Sequence, residues 1–206
     1  LSRLEVNRAE VRVEDGYNPR LLTISQIPVS QSLEITLKTT AALANLGEAG
    51  GRGSQLLSSG YFIRDTELPE TPGIREVRNV DPLYLYEYTS NWPRIYATSH
   101  IEIVSSEEQA LSEIAIADFD PASIAVVTTA GPGPVLPSAT NASPDFTAHF
   151  TEYKLNSFSA SVTTSRPVLV VFSEQYHPGW KATVDGKPVP VWKANYAFRG
   201  IVVPAG

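Results

Sequence analysis

The sequence contains no cysteine, which excludes disulfide bonds, thiolate zinc sites and cysteine nucleophiles. It also lacks long apolar runs: the longest, such as residues 167–172, are far shorter than the roughly 20 residues that a bilayer-spanning helix needs. No signal-peptide pattern opens it, so we expect this fragment to be soluble. Basic runs are absent too, and the net charge of -6 disfavours nucleic acid as a partner.

The composition that remains is ordinary for a folded domain. Of the 206 residues, 42% are hydrophobic and 18% are charged, so we expect one compact unit with a substantial core. The clearest shift in composition lies at residues 131–145, where prolines occur among glycines and small residues. This shift predicts an α+β subdomain at residues 1–130, a Pro/Gly-rich linker at residues 131–145 and a β-sandwich subdomain at residues 146–206.

The first 90 residues mix helical and extended patterns. Residues 30–46 have apolar positions at helical spacing and predict an amphipathic helix, whereas the glycine-rich residues 47–54 predict a flexible loop. Residues 61–63 predict a short strand. Two β-rich runs, residues 74–78 and 83–88, are joined by a polar turn and predict a hairpin.

A strand, a helix and a strand are predicted next. Residues 95–103 favour a strand, Ser105 or Ser106 can cap a helix with an apolar stripe, and residues 123–129 read as a buried strand of β-branched residues. This order gives the N-terminal half an α/β-type character.

The C-terminal half has the period of two that is typical of strands. The alternation begins at Phe146, and short strands are predicted at residues 168–173, 180–184, 188–192 and 200–203. Asp185-Gly186 is the strongest turn signal, because a two-residue hairpin needs positive φ at both centres. The pattern predicts an antiparallel β-sandwich of a carbohydrate-binding or immunoglobulin-like kind.

A specific series of motifs occupies the C-terminal region. A Tyr-His-Pro-Gly-Trp-Lys run starts at Tyr176, the Asp-Gly hairpin follows, then an Ala-Asn-Tyr turn at residues 194–196, Arg199-Gly200 and a final Pro-Ala-Gly. This order resembles the ending of the YfhO family of bacterial polytopic membrane proteins, a cell-envelope glycosyltransferase family. Weaker matches extend the resemblance over nearly all of the chain, at residues 16–19, 56–63, 83–87 and 92–94.

The resemblance implies an extracytoplasmic location, tethered to the membrane by the transmembrane part of a larger parent protein. In that family the acidic catalytic residues lie in loops among the membrane helices, so it implies no catalysis, cofactor or metal for this fragment and leaves the parent's reaction open. Its implied function is to scaffold or orient an envelope glycan or polymer. A stand-alone carbohydrate-binding or adhesion module is the alternative, and a hydrolase is a further one.

One group of residues combines aromatic rings with hydrogen-bond donors. Stacked aromatic faces beside such donors suit sugar rings, which makes this group the candidate glycan-binding site. Its members are Tyr176, His177, Trp180, Trp192, Asn195, Tyr196 and Arg199. The alternative, which the sequence favours, is that these residues have structural roles. Trp180 and Trp192 would pack the core, Tyr176 and Tyr196 would close corners, and Arg199 would bond loop carbonyls.

Other candidate sites have weaker patterns. Ser173, His177 and Asp185 supply the residue types of a nucleophilic triad, but the serine lacks the Gly-x-Ser-x-Gly elbow. Glu152, Glu174 and Asp185 could supply a carboxylate pair for glycoside hydrolysis, although a chain with 22 acidic residues offers many such pairs. The three histidines show no metal spacing. Trp92-Pro93-Arg94 could position a polyanion or, more simply, anchor the start of a strand.

Overall fold

The structure is a computed structural model that describes residues 10–11, 22–23, 56–58, 60–89, 92–116, 118–136, 145–154 and 156–206. Within these residues the chain is mostly β, with fifteen short strands and one helix. The strands are β1 (Glu10–Val11), β2 (Leu22–Thr23), β3 (Tyr61–Arg64), β4 (Ile74–Val80), β5 (Leu83–Tyr88), β6 (Ile95–Thr98), β7 (Ile101–Val104), β8 (Ala125–Thr128), β9 (Phe146–Lys154), β10 (Ser157–Thr164), β11 (Val168–Gln175), β12 (Ala182–Val184), β13 (Lys187–Val189), β14 (Trp192–Ala194) and β15 (Phe198–Val203). The helix is α1 (Glu107–Ala115). The helix predicted at residues 30–46 and the loop predicted at residues 47–54 lie outside the described residues.

A six-stranded mixed sheet organises the fold. Its order is β6-β11-β15-β14-β8-β7, and every neighbouring pair is antiparallel except β7 and β8, which are parallel. Only two residues connect β6 to β7, although these strands occupy opposite edges. Five strand spacings would span about 24 Å in a flat sheet, whereas such a connection reaches about 10 Å. The sheet is therefore strongly curled.

The single strand predicted at residues 95–103 is wrong in this respect, because the structure divides it into β6 and β7. Thr98 causes the break: its hydroxyl donates to the Ser123 carbonyl at 2.7 Å and accepts from the His100 amide at 3.1 Å. This side-chain bond to the backbone two residues ahead is turn chemistry, which competes with a continuous strand.

Helix α1 crosses between the parallel strands β7 and β8, so the predicted strand-helix-strand order is confirmed for these residues. Ser106 caps the helix as predicted, accepting from the Gln109 amide at 3.2 Å. Ala110 and Ile114 lie on its buried face. No helix among the described residues is long and apolar enough to span a bilayer.

Strand β11 lies at the centre of the core and is buried on both faces. Leu169 and Val171 belong to a helix-side cluster together with Ile114 of α1, while Val168 and Val170 belong to a hairpin-side cluster. The antiparallel hairpin β9–β10 covers the second face with alternate apolar side chains. Because both faces are covered, β11 reads as a continuous apolar run instead of an alternating one.

The predicted β-rich character of the chain is confirmed, whereas the described residues do not show α/β character across the N-terminal half. Strands β3, β5 and β4 form a separate antiparallel sheet that includes the predicted hairpin. The predicted boundary at residues 131–145 lies in the connection between β8 and β9, yet β6, β7 and β8 share one sheet with β11, β14 and β15. The boundary therefore does not separate two sheets.

Candidate functional site

A cavity of about 400 Å³ opens beside the hairpin-side cluster. It lies between β10 of the hairpin, β15 of the sheet and the segment formed by residues 180–185. Its lining combines mostly apolar residues with three charged ones. The residues are Ser157, Phe158, Ser159, Ala160, Val162, Phe172, Trp180, Lys181, Ala182, Thr183, Val184, Asp185, Val191, Arg199, Ile201, Val203, Pro204, Ala205 and Gly206.

Arg199 and Trp180 form the central contact of this cavity. The guanidinium carbon of Arg199 lies 3.6 Å from the Trp180 ring centroid and 5.6 Å from that of Phe158. The Arg199 side chain is only 7% exposed. Its Nε donates to the Gln175 carbonyl at 2.9 Å, and neither Nη atom has a hydrogen bond to any described residue. Neither Nη atom is fully buried, and Arg199 lines the cavity.

The strand register explains why this arginine points toward the hairpin. Phe198 and Val202 of β15 pack in the helix-side cluster, while Ile201 and Val203 pack on the hairpin side. Arg199 pairs across the sheet with Phe172, which also belongs to the hairpin-side cluster. Because side chains alternate along a strand, Arg199 occupies the same face as Ile201 and Val203.

A compact turn brings Trp180 to the arginine. The Tyr176 amide donates to the Ala197 carbonyl at 2.7 Å, which joins the start of the turn to the residues before β15. His177 then folds the chain back, since its carbonyl accepts from the Trp180 amide at 3.1 Å and its Nδ1 accepts from the Gly179 amide at 3.1 Å. This bonding leaves His177 exposed at the surface, outside the cavity lining.

Burial sets the electrostatics of the cavity. Loss of hydration lowers the pKa of Arg199 to about 10, with Glu174 opposing the shift, so the guanidinium stays protonated at neutral pH. Lys181 and Asp185 are the other charged residues of the lining, and both are exposed. The buried charge of the cavity is thus a cation whose two terminal nitrogens lack a protein acceptor among the described residues.

Arg94 provides an internal comparison. Its guanidinium carbon lies 4.6 Å from the Tyr153 ring centroid, so it stacks on an aromatic ring much as Arg199 does. Arg94 also forms an ion pair with Glu174 and donates to the Tyr153 hydroxyl at 2.7 Å. Desolvation disfavours its charge, but these two partners outweigh desolvation and raise the pKa of Arg94. The charge of Arg94 is therefore compensated within the protein. Its contacts with Tyr153 and Glu174 connect the residue before β6 to strands β9 and β11.

The seven predicted glycan-binding residues do not converge on one site. Trp180 and Arg199 line the cavity, whereas Trp192 and Tyr196 pack against the helix-side cluster on the other face of the sheet. Arg199 was predicted to bond loop carbonyls; it donates to a backbone carbonyl, but to that of Gln175 at the end of strand β11. Trp180 is half-buried and contacts Phe158 at the border of the hairpin-side core, while Trp192 lies at the edge of the helix-side core.

Asn195 has a structural position. It is fully buried with φ of 46°, and its Oδ1 accepts from the Val126 amide at 2.8 Å. Its Nδ2 donates to the Tyr96 hydroxyl at 2.9 Å, and its amide donates to the Val126 carbonyl at 2.7 Å. These bonds connect the turn before β15 to β8 and β6, and they leave no exposed surface of Asn195 for a ligand.

The weaker candidate sites also have protein partners. Ser173 accepts a hydrogen bond from the Ser58 hydroxyl at 3.2 Å, and Asp185 lies at the tip of the β12–β13 hairpin. Glu152 pairs with Lys154 at 2.8 Å, and Glu174 pairs with Arg94. Within the described residues no group of three His, Cys, Asp or Glu side chains is placed to hold a metal ion.

Phe158, Phe172 and the serines of β10 belong to the cavity but were not predicted from sequence. Phe158 lies in an alternating run, residues 157–163, whose apolar face was visible. What was missing was the pairing of this run with β9 and its position over β11 and β15, which only the tertiary fold supplies. No protein-family model, curated protein or solved structure matches this chain.

Proposed function

We propose that this chain is a non-catalytic carbohydrate-binding domain that holds or orients an envelope glycan or polymer, with the cavity at Trp180 and Arg199 as its binding site. The observation that carries the proposal is the composition of this cavity. An aromatic ring, a buried guanidinium and apolar walls surround a volume of about 400 Å³. Small-molecule sites commonly have volumes of about 300–1,000 Å³, with apolar walls and a few polar groups that fix orientation.

Each part of the cavity suits a sugar ring. The C–H faces of a pyranose pack on aromatic and aliphatic surfaces, here offered by Trp180, Phe158 and Ile201. Its hydroxyls need directional hydrogen-bond donors, which the Arg199 guanidinium can supply. In this proposal the hairpin β9–β10 and the six-stranded sheet act as the two layers of a carbohydrate-binding β-sandwich, and the cavity opens between them.

The wider setting of the domain is also part of the proposal. The resemblance of the C-terminal motifs to the YfhO family supports an extracytoplasmic domain, tethered through the transmembrane part of a parent protein. Translation of the complete reading frame tests this directly. Apolar stretches of about 20 residues should flank the segment. Their absence would contradict the tether and favour a stand-alone binding or adhesion module.

A fluorescence titration tests binding at the cavity, because the three tryptophans lie in different places. We expect saturable quenching or enhancement with at least one member of a panel of envelope-type sugars and glycan fragments. Trp180→Ala should abolish binding, whereas Trp192→Phe, on the opposite face of the sheet, should keep it. Equal affinities in both variants, with circular dichroism unchanged, would contradict this site, and a flat response of the wild type across the panel would contradict the function.

A further inference from the structure

We infer that the cavity selects sugars carrying a negatively charged group, a carboxylate or a phosphate, which Arg199 binds through its two Nη atoms. This inference rests on the proposed glycan function and specifies the chemical class of the ligand. Three observations support it: the burial of the guanidinium, the missing partners of its terminal nitrogens and the charge balance of the lining.

The burial of Arg199 is unusual without an anion beside it. Arginine side chains are rarely so deeply buried unless they are paired, because removing a cation from water is unfavourable. Arg199 is 93% buried, since its exposed fraction is 7%, and among the described residues its side chain has one hydrogen-bond partner, the Gln175 carbonyl. Stacking on Trp180 compensates only part of the lost hydration. An anion in the cavity would supply the rest.

Glu174 is the carboxylate with the strongest electrostatic effect on Arg199, but it is not the anion that pairs with Arg199. Glu174 acts on Arg199 electrostatically, but its Oε1 is bound by Arg94 and by the Tyr153 hydroxyl, which donates to it at 2.8 Å. Asp185 lines the cavity but lies exposed on the β12–β13 turn, and Lys181, which has the opposite charge, is exposed on the same rim. The lining therefore carries two cations against one carboxylate.

The guanidinium is positioned for bidentate recognition. Its plane is fixed by stacking at 3.6 Å from the Trp180 centroid and by the Nε bond to Gln175. The remaining fork of two Nη groups matches the two oxygens of a carboxylate or phosphate. A neutral hydroxyl offers a single uncharged oxygen, which does not match both arms of the fork, and this gives the site a basis for choosing acidic over neutral sugars.

Isothermal titration with matched sugars tests the inference. Glucuronic acid and glucose 6-phosphate should each bind at least about tenfold more tightly than glucose, since charge-assisted hydrogen bonds contribute more than neutral ones. The preferred acid identifies the carboxylate or the phosphate as the natural group. Acetate and inorganic phosphate alone should bind more weakly than the corresponding acidic sugars.

Two arginine variants form a matched pair. Arg199→Gln should reduce the preference for the acidic sugar to less than about twofold, while Arg94→Gln should leave it unchanged. If Arg199→Gln does not fold, as judged by circular dichroism, Lys181→Glu on the exposed rim replaces it and should weaken acidic-sugar binding severalfold without changing glucose binding.

The outcomes separate the inference from the proposed function. Equal affinity for glucose and its acidic counterparts would overturn the anion selectivity and leave glycan binding intact. Acetate or phosphate binding as tightly as the acidic sugars would overturn the sugar requirement. Failure of all three sugars and both anions would overturn the inference, and failure of the wider glycan panel as well would overturn the function.

Discussion

Replacement of Asn195 by alanine should strongly destabilise the fold. The change leaves the Val126 amide without its acceptor and the Tyr96 hydroxyl without its donor, and both sites are buried. An unsatisfied buried amide costs about 1–3 kcal/mol, and the lost bond to Tyr96 adds about 1 kcal/mol. Alanine at a φ of 46° adds about 1–2 kcal/mol more. We therefore expect a decrease of roughly 3–6 kcal/mol in the free energy of unfolding.

Urea unfolding followed by circular dichroism measures this effect as a shift in midpoint at constant slope. Asn195→Gly separates the two causes, because glycine tolerates positive φ and should recover the backbone part, about 1–2 kcal/mol. The exposed Asn79→Ala on β4 is the control and should change stability by less than about 0.5 kcal/mol. A loss below about 1 kcal/mol for Asn195→Ala would refute the structural role assigned to Asn195.

Three further changes test other parts of the structure. Trp180→Ala should lower the free energy of unfolding by about 1–2 kcal/mol, less than the ~3–5 kcal/mol typical of a core aromatic ring. A shift of the urea midpoint that corresponds to the larger loss would place this ring in the core. Burial raises the pKa of Tyr96 above its usual 10, so the folded state retains a proton that the unfolded chain loses at high pH. The free energy of unfolding should therefore keep this contribution below pH 10 and fall as the pH rises further. Thermal melts of Tyr96→Phe should show a shallower fall. Gly186→Ala should cost about 1 kcal/mol because of its φ of 75°, whereas Gly131→Ala, where a Cβ also meets open space, should be neutral; equal melting temperatures for the two variants would contradict the turn assignment.

Local features of the fold were predictable from sequence because their causes are local. The Asp185-Gly186 turn needs positive φ, and both residues have it, at 50° and 75°. The cap at Ser106 follows from an oxygen acceptor ahead of an apolar stripe. The short strand predicted at residues 168–173 is present as β11, since its β-branched and apolar residues alone carry the signal.

Long-range pairing was not predictable in this way. Nothing between Ile95 and Ile103 marks Thr98 as a break, because its partner, the Ser123 carbonyl, lies 25 residues away. The composition shift at residues 131–145 is real, but the sheet that joins strands from both sides depends on pairings far apart in sequence.

The candidate site follows the same division. Sequence identified Trp180 and Arg199 as chemically suitable, but the same criterion, aromatic rings beside hydrogen-bond donors, also selected Trp192, Asn195 and Tyr196 from the same stretch of chain. Trp192 of β14 and Tyr196 of the following turn pack on the helix side of the sheet, and Asn195 is buried there. Proximity in sequence is therefore a poor guide to proximity in space where strands alternate their faces.

The measurement that tests the account most directly is a map of amide chemical shifts in the labelled domain during titration with glucuronic acid. The account predicts shifts concentrated in residues 157–162, 180–185 and 199–203, with residues 192–196 largely unchanged. Saturable shifts confined to the helix side of the sheet, or no shifts at all with any acidic or neutral sugar, would contradict the binding site proposed for this cavity.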